Sequence, residues 1–128
     1  MRLLLDSHTV IWAVDEPTKL SATAVAALQD PGNDLIVSAG SIWEIAIKVG
    51  LNKLTLSQPY RPWIEKAIAD LGASLLPITI EHADALVGLP MHHRDPFDRL
   101  LVAQSKIENL QVVSADAQLD AYGITRLW

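Results

Sequence analysis

Short apolar runs alternate with longer segments of helical periodicity along this chain, with no internal repeat and no Gly-, Ser- or Pro-rich linker between them. Such alternation is typical of α/β folds in which helices connect the strands of a largely parallel sheet. The predicted strands are residues 2–5, 35–39, 74–78, 111–114 and 124–127. Because 128 residues are enough for one hydrophobic core, we expect a single domain spanning residues 1–128.

Residues that favour helix ends lie between the predicted strands. Ser21 and Ser41 are suited to N-cap positions, and Gly50 to the end of the helix that follows Ser41. The clearest helix begins at Asp95 and Pro96, with Asp as the N-cap and Pro at the first helical position. The helix that Ser21 caps is predicted to stop before residue 31. Two further helices are predicted over residues 62–71 and between residues 79 and 90, whereas residues 51–60 carry no clear signal.

Composition excludes several classes of function. The chain has no Cys, which rules out disulfides, thiol catalysis and Cys-ligated zinc. A net charge of −5 argues against a protein that holds nucleic acid through a generally basic surface. Only three leucines precede Asp6, which is too short a run for a signal peptide, and no later segment resembles a membrane span. We therefore expect a cytoplasmic protein with no membrane association.

The positions of five carboxylates carry the functional information. Asp6 directly follows the first predicted strand, Glu44 lies in the first turn of the helix after the second, and Asp116 follows the fourth. Asp95 and Asp98 open the long helix. The carboxyl ends of parallel strands and the starts of the following helices share one edge of a sheet, where ligands usually bind. The sequence therefore predicts that acids from four separate segments meet at one edge.

Each acid also has a purely structural explanation. The segment Ser41–Glu44 fits a capping box, and Lys48 is placed to form an ion pair with Glu44 one turn along the helix. Cap or turn roles are equally ordinary for Asp6, Asp95, Asp98 and Asp116. Capping alone, however, does not require the acids to converge. Converging charges destabilise a fold unless they are protonated or gain a cation, and carboxylate oxygens suit Mg²⁺ or Mn²⁺ in phosphodiester chemistry.

Four motifs, in this order and spacing, resemble those of the PIN-domain ribonucleases, most closely the VapC-type toxins of bacterial toxin–antitoxin pairs. They are LLDSH at 4–8, SIWEI at 41–45, HHRDPFDRLL at 92–101 and SAD at 114–116. The resemblance covers essentially the whole chain. It implies a three-layer α/β/α sandwich around a mostly parallel sheet of about five strands.

The same resemblance implies roles for individual residues. It makes Asp6, Glu44, Asp98 and Asp116 the catalytic acids that hold one or two Mg²⁺ or Mn²⁺ ions. Scaffold roles around these ligands fall to Asp95, Ser7 and Ser114. RNA would be positioned by Arg94, Arg99 and Lys48. One departure from the commonest family pattern is Ser114, where many members carry Thr, and the hydroxyl is retained.

The implied activity is endonucleolytic cleavage of RNA by metal-activated water, leaving a 5′ phosphate and a 3′ hydroxyl. The implied partners are RNA, a small antitoxin protein that covers the active cleft, and a second copy of the chain in a homodimer. Two alternatives remain open. A Mg²⁺-dependent phosphatase or phosphotransfer domain would also place Asp after the first strand, although His8 stands where such a phosphatase needs a second acid. A PIN-like binding module without catalysis would be expected to lack part of the acid cluster.

Overall fold

A computed structural model describes residues 1–128 and contains one five-stranded sheet. The strands are β1 (Arg2–Leu5), β2 (Asp34–Ser38), β3 (Ser74–Leu76), β4 (Gln111–Val113) and β5 (Arg126–Leu127). The helices are α1 (Ser7–Asp15), α2 (Ala22–Gln29), α3 (Ala39–Gly50), α4 (Tyr60–Leu71), α5 (Ile80–Val87) and α6 (Pro96–Glu108). All neighbouring strands are parallel, in the order β3-β2-β1-β4-β5, which confirms the predicted architecture. None of the helices has the length and apolar character needed to cross a membrane.

The sheet is buried on both faces, as parallel sheets usually are. Successive side chains of a strand point to opposite faces, so Leu3 and Leu5 of β1 belong to one core and Leu4 to the other. Helices α1 to α4 pack on the first face, and α6 packs on the second with α5 against it. The chain therefore forms the expected three-layer α/β/α sandwich.

Helix α3 begins earlier than the sequence predicts. The N-cap is Ser38, whose hydroxyl accepts a hydrogen bond from the Gly40 N–H at 3.0 Å. The prediction that Ser41 caps this helix is wrong, because β2 ends at Ser38 and the chain enters the helix without a loop. Ser41 is instead a buried residue inside the helix, and Glu44 lies in the second turn without a capping box.

Other predicted helix ends are found in the structure. The Asp95 carboxylate accepts hydrogen bonds from the backbone N–H groups of Phe97 and Asp98, at 2.8 and 3.2 Å, and Pro96 is the first residue of α6. Gly72 ends α4 with a φ of 61°, a left-handed conformation that favours glycine. Helix α4 begins at Tyr60, two residues before the predicted start.

Residues 51–59 contain no strand and no helix, yet they are tied to the end of α1. The Ser57 N–H and hydroxyl donate to the Asp15 carboxylate at 3.0 and 2.6 Å. The indole N–H of Trp63 donates to the same carboxylate at 3.0 Å. Because these contacts join residues more than forty positions apart, local sequence patterns cannot predict them. Asp15 therefore holds this segment in place.

We expect Asp15→Ala to lower the free energy of unfolding by about 1–3 kcal/mol, because it leaves the N–H of the buried Trp63 without its acceptor. Urea unfolding followed by tryptophan fluorescence measures the change. The matched control is Asp84→Ala, which removes an exposed carboxylate on α5. Equal stabilities of the two variants would contradict the anchoring role of Asp15.

Candidate active site

A groove of about 530 Å³ opens at the carboxyl edge of the sheet. The strand order reverses direction at β1 and β4, which is where ligands bind in open α/β sheets. Five acids from the four predicted segments line this acid groove: Asp6, Glu44, Asp95, Asp98 and Asp116. The sheet edge therefore collects negative charge in one place.

Asp6 is almost fully buried at the end of β1, with 4% of its surface exposed. One carboxylate oxygen accepts the Ser7 N–H at 2.7 Å, and the other accepts the Ser114 hydroxyl at 2.7 Å. His8 Nδ1 lies 3.4 Å from the second oxygen. These contacts hold the Asp6 carboxylate in one orientation.

Glu44 projects into the groove from α3 and is 5% exposed. Its Oε2 accepts a hydrogen bond from Lys48 Nζ at 2.8 Å, which is the predicted ion pair one turn along the helix. This contact raises the pKa of Lys48, and the nearby carboxylates Asp95 and Asp98 add to the effect. Lys48 thus offsets part of the negative charge of the groove.

Asp98 faces the groove from the first turn of α6. Burial is the main cause that raises its pKa to about 7, and repulsion from Asp6, Asp95 and Glu44 raises it further, against an opposing effect of His93. Asp95 itself is occupied as the cap of α6. Without a cation, the Asp98 carboxyl therefore takes up or releases a proton near neutral pH.

The imidazole of His93, a residue with no predicted role, lies between Asp98 and Asp116. His93 Nε2 lies 3.1 Å from Asp98 Oδ2 and 3.2 Å from Asp116 Oδ2. Ligand atoms of these three residues all lie within 4.8 Å of one another. Asp6 and Glu44 line the same groove but are not part of this close group. The only sequence signal for His93 is its place in the HHRDPFDR motif.

The groove also has a basic and aromatic wall. Lys19, Lys48 and Lys53 line it, together with Trp12 and His8 of α1. The rings of His8 and Trp12 are 4.8 Å apart, and Lys19 Nζ lies 5.7 Å from the centre of the Trp12 ring. Positive charge therefore faces the acids locally, although the chain as a whole is acidic.

Comparison with known proteins agrees with this geometry. The model of the PIN domain family matches residues 3–124. The chain belongs to the PIN-domain family. It is 30% identical over 121 residues to ribonuclease VapC22 of Mycobacterium tuberculosis. The aligned segment covers 94% of this chain and 91% of that relative. The resemblance to VapC-type proteins is thereby confirmed.

Solved structures share the fold of this PIN domain. VapBC2 from Rickettsia felis, bound to a DNA fragment from its promoter, matches with a TM-score of 0.76 and 11% identity over 98% of this chain and 97% of that one. VapBC-1 from nontypeable Haemophilus influenzae matches with a TM-score of 0.65 and 15% identity over 98% and 96%. These similarities show a common fold.

The structure corrects one assignment in this PIN domain. Arg99 was expected to position RNA, but it is 8% exposed and its guanidinium points inwards. It donates to the backbone carbonyls of Pro90 and Leu89 at 2.9 and 3.2 Å and to the Tyr122 hydroxyl at 3.3 Å. Arg99 therefore anchors the loop before α6 and is not available to a phosphate. Arg94 remains exposed in that loop.

The donor set of the acid groove fits a hard divalent cation. Such ions prefer carboxylate oxygens, and Mg²⁺ commonly binds through few acids while it keeps several waters. Burial raises the pKa of Asp98 most, and repulsion from Asp6, Asp95 and Glu44 adds to it, so both the low exposure of the groove and its neighbouring acids disfavour an unpaired charge there. A proton or a cation would relieve that repulsion.

In metal-free buffer, we expect Asp98→Asn to raise the free energy of unfolding relative to the wild type by more at pH 8 than at pH 5. Between the ordinary value of 3.8 and about 7, folded Asp98 holds a proton that the unfolded chain has lost. The wild type therefore loses stability as the pH rises through this window, and the variant does not. Urea unfolding in the presence of EDTA tests this.

Asp70→Asn is the matched control, because Asp70 forms an exposed ion pair with Lys66 at 2.7 Å on α4. Its stability difference from the wild type should not grow between pH 5 and pH 8 in the way expected for Asp98. A gain for Asp98→Asn that is the same at both pH values would show that the ionised Asp98 carboxylate in the groove is not its cause.

Proposed function

We propose that this protein is a Mg²⁺- or Mn²⁺-dependent endoribonuclease and the toxin of a toxin–antitoxin pair. The observation that supports this most strongly is the gathering of Asp6, Glu44, Asp98 and Asp116 in one groove at the carboxyl edge of the sheet. Relatives named as ribonucleases support the choice of RNA as substrate. The complete acid set also favours an enzyme over a silent binding module.

The four acids are the proposed ligands of one or two divalent ions. A bound Mg²⁺ or Mn²⁺ supplies a lower pKa for water and offsets the charge of a phosphodiester in the groove. The chain's own residues keep the ligands in place for this. Ser7 and Ser114 orient Asp6, Lys48 orients Glu44, and Asp95 fixes the first turn of α6 from which Asp98 projects.

RNA is proposed to lie along the groove, with its phosphates facing basic side chains. Lys48 and the exposed Arg94 keep the role that the sequence suggests for them. Lys19 and Lys53 join them, because both line the groove and their ammonium groups are compact positive charges suited to phosphates. Lys53 is held at the groove by the segment that Asp15 anchors.

A small antitoxin is the proposed protein partner. One solved structure with a similar fold is described as a toxin–antitoxin complex, which supports such a pairing. An acid groove is a suitable site for a basic side chain of a partner. Exposed apolar side chains on and near α5, namely Ile80, Val87 and Met91, support a further protein contact, for which we propose a homodimer. The protein is proposed to act in the cytoplasm as a single PIN domain.

We expect Asp6→Asn to reduce Mn²⁺-dependent RNA cleavage by about 100-fold or more. Removing a residue that only hydrogen-bonds a metal ligand already lowers activity by about 10–100-fold, and Asp6 is a proposed ligand itself. Gel analysis of a mixed RNA substrate, with Mn²⁺ or with EDTA, measures the loss. Asp84→Asn, on the exposed side of α5, should cleave like the wild type. A wild type that leaves RNA intact under all these conditions, or an active Asp6→Asn, would refute the proposal.

We expect Lys53→Ala to weaken binding of single-stranded RNA and to reduce the salt dependence of binding. Loss of one phosphate contact lowers the slope of log K against log salt by about 0.7. Fluorescence anisotropy at several salt concentrations, in an Asp6→Asn background that prevents cleavage, measures both quantities. Lys106→Ala is the control, because Lys106 is exposed on α6 outside the acid groove. Identical slopes for the two variants would exclude Lys53 as a phosphate contact.

A further inference from the structure

His93 lies against two acids of the acid groove and has no role in the mechanism proposed above. Its Nε2 is the only protein nitrogen in the close group with Asp98 and Asp116, at 3.1 and 3.2 Å from one oxygen of each. The side chain is 16% exposed. A ring nitrogen between two carboxylates acts either as a metal ligand or as a hydrogen-bond donor, and these roles require opposite protonation of that nitrogen.

The other ring nitrogen decides between these roles. The backbone N–H of Asp95 donates to His93 Nδ1 at 3.1 Å. Nδ1 therefore carries the lone pair, and the proton of the neutral ring lies on Nε2. A ligating nitrogen would need its lone pair directed at the ion, so this arrangement makes His93 a donor. Its Nε2–H donates to Asp116 Oδ2 at 3.2 Å, and Nε2 lies 3.1 Å from Asp98 Oδ2. Transfer of that proton would leave an imidazolate among acids, which excludes the neutral ring as a proton donor in catalysis.

Buried contacts hold the ring in this place. The backbone N–H of His93 donates to the Tyr122 hydroxyl at 2.8 Å, and Tyr122 also receives a hydrogen bond from the buried Arg99 at 3.3 Å. Arg99 in turn binds carbonyls of the loop that leads to His93. The imidazole is thus supported from both its backbone and its Nδ1, while Nε2 remains directed at the two acids.

We propose that His93 is a positioning residue, whose Nε2–H donates to Asp116 and lies against Asp98, so that the two carboxylates stay close enough for a divalent cation to bind them. This inference rests on the proposed metal-dependent function. Without this N–H the two neighbouring carboxylates repel each other, and the contact with His93 Nε2 at 3.1 Å is what keeps the Asp98 carboxylate beside Asp116. Ion affinity then falls, because the acids must be brought together again at each binding event.

The first test measures Mn²⁺ binding to the full chain by calorimetry. His93→Ala should weaken the affinity by about 10–100-fold, the usual effect of removing a hydrogen-bonded partner of a metal ligand. His93→Gln should remain within a few-fold of the wild type, because its amide N–H₂ can replace Nε2–H. His92→Ala is the matched control, since His92 lies in the same loop and packs against Tyr122, 5.1 Å between ring centres. An unchanged or tighter affinity of His93→Ala would overturn the proposal.

The second test reads the tautomer directly and does not depend on a variant that folds. Long-range ¹H–¹⁵N correlation spectra of the wild type should show a protonated Nε2 and an unprotonated Nδ1 on His93, both without metal and with saturating Mg²⁺. Loss of the Nε2 proton on Mg²⁺ addition would make His93 a ligand and overturn the proposal.

The two proposals fail in different ways. A wild type that neither binds Mn²⁺ nor cleaves RNA would refute the nuclease assignment, and the role of His93 with it. A wild type that binds Mn²⁺ and cleaves RNA, beside a folded His93→Ala that binds Mn²⁺ equally well, would refute the role of His93 alone.

Discussion

Repulsion between carboxylates gathered at one edge of the sheet is the interaction on which the rest of the site depends. A buried charge without partners is strongly unfavourable, so each acid needs its own donors. Ser7 and Ser114 serve Asp6, and Lys48 serves Glu44. Asp98 has only the contact with His93 Nε2 at 3.1 Å, and burial together with the neighbouring acids raises its pKa to about 7. The acid with the weakest support is thus the one that most needs an added proton or cation.

The hydrophobic core determines where these acids project from. Leu3 and Leu5 of β1 point into one core and Leu4 into the other, so a slip of one residue would exchange the two faces of the strand. That requirement fixes the register of β1 and with it the position of Asp6. On the other face of the sheet, Arg99 fixes the start of α6. Its buried hydrogen bonds to the carbonyls of Pro90 and Leu89 tie the preceding loop to this helix beside the groove. Site geometry and fold stability therefore share the same residues.

The parallel sheet and the meeting of the acids at its edge follow from local patterns, namely short apolar runs and polar residues directly after them, and could therefore be predicted. The start of α3 could not, because Ser38 and Ser41 are both good caps and only the end of β2 decides between them. The inward position of Arg99 depends on carbonyls nine or more residues away, and the pairing of His93 with Asp116 depends on folding across 23 residues. Contacts of this kind exist only in three dimensions.

A site with excess negative charge can be neutralised in three ways: by a proton, by a divalent ion or by a basic side chain. At neutral pH the first two compete, because the pKa of Asp98 lies at about 7. On the proposed function, a basic side chain of an antitoxin would relieve the same repulsion while excluding the ion, and no change of fold is needed to switch the enzyme off. Lys48, 2.8 Å from Glu44, already does this for one of the acids. The negative charge that attracts the ion therefore also provides the attraction for an inhibitor.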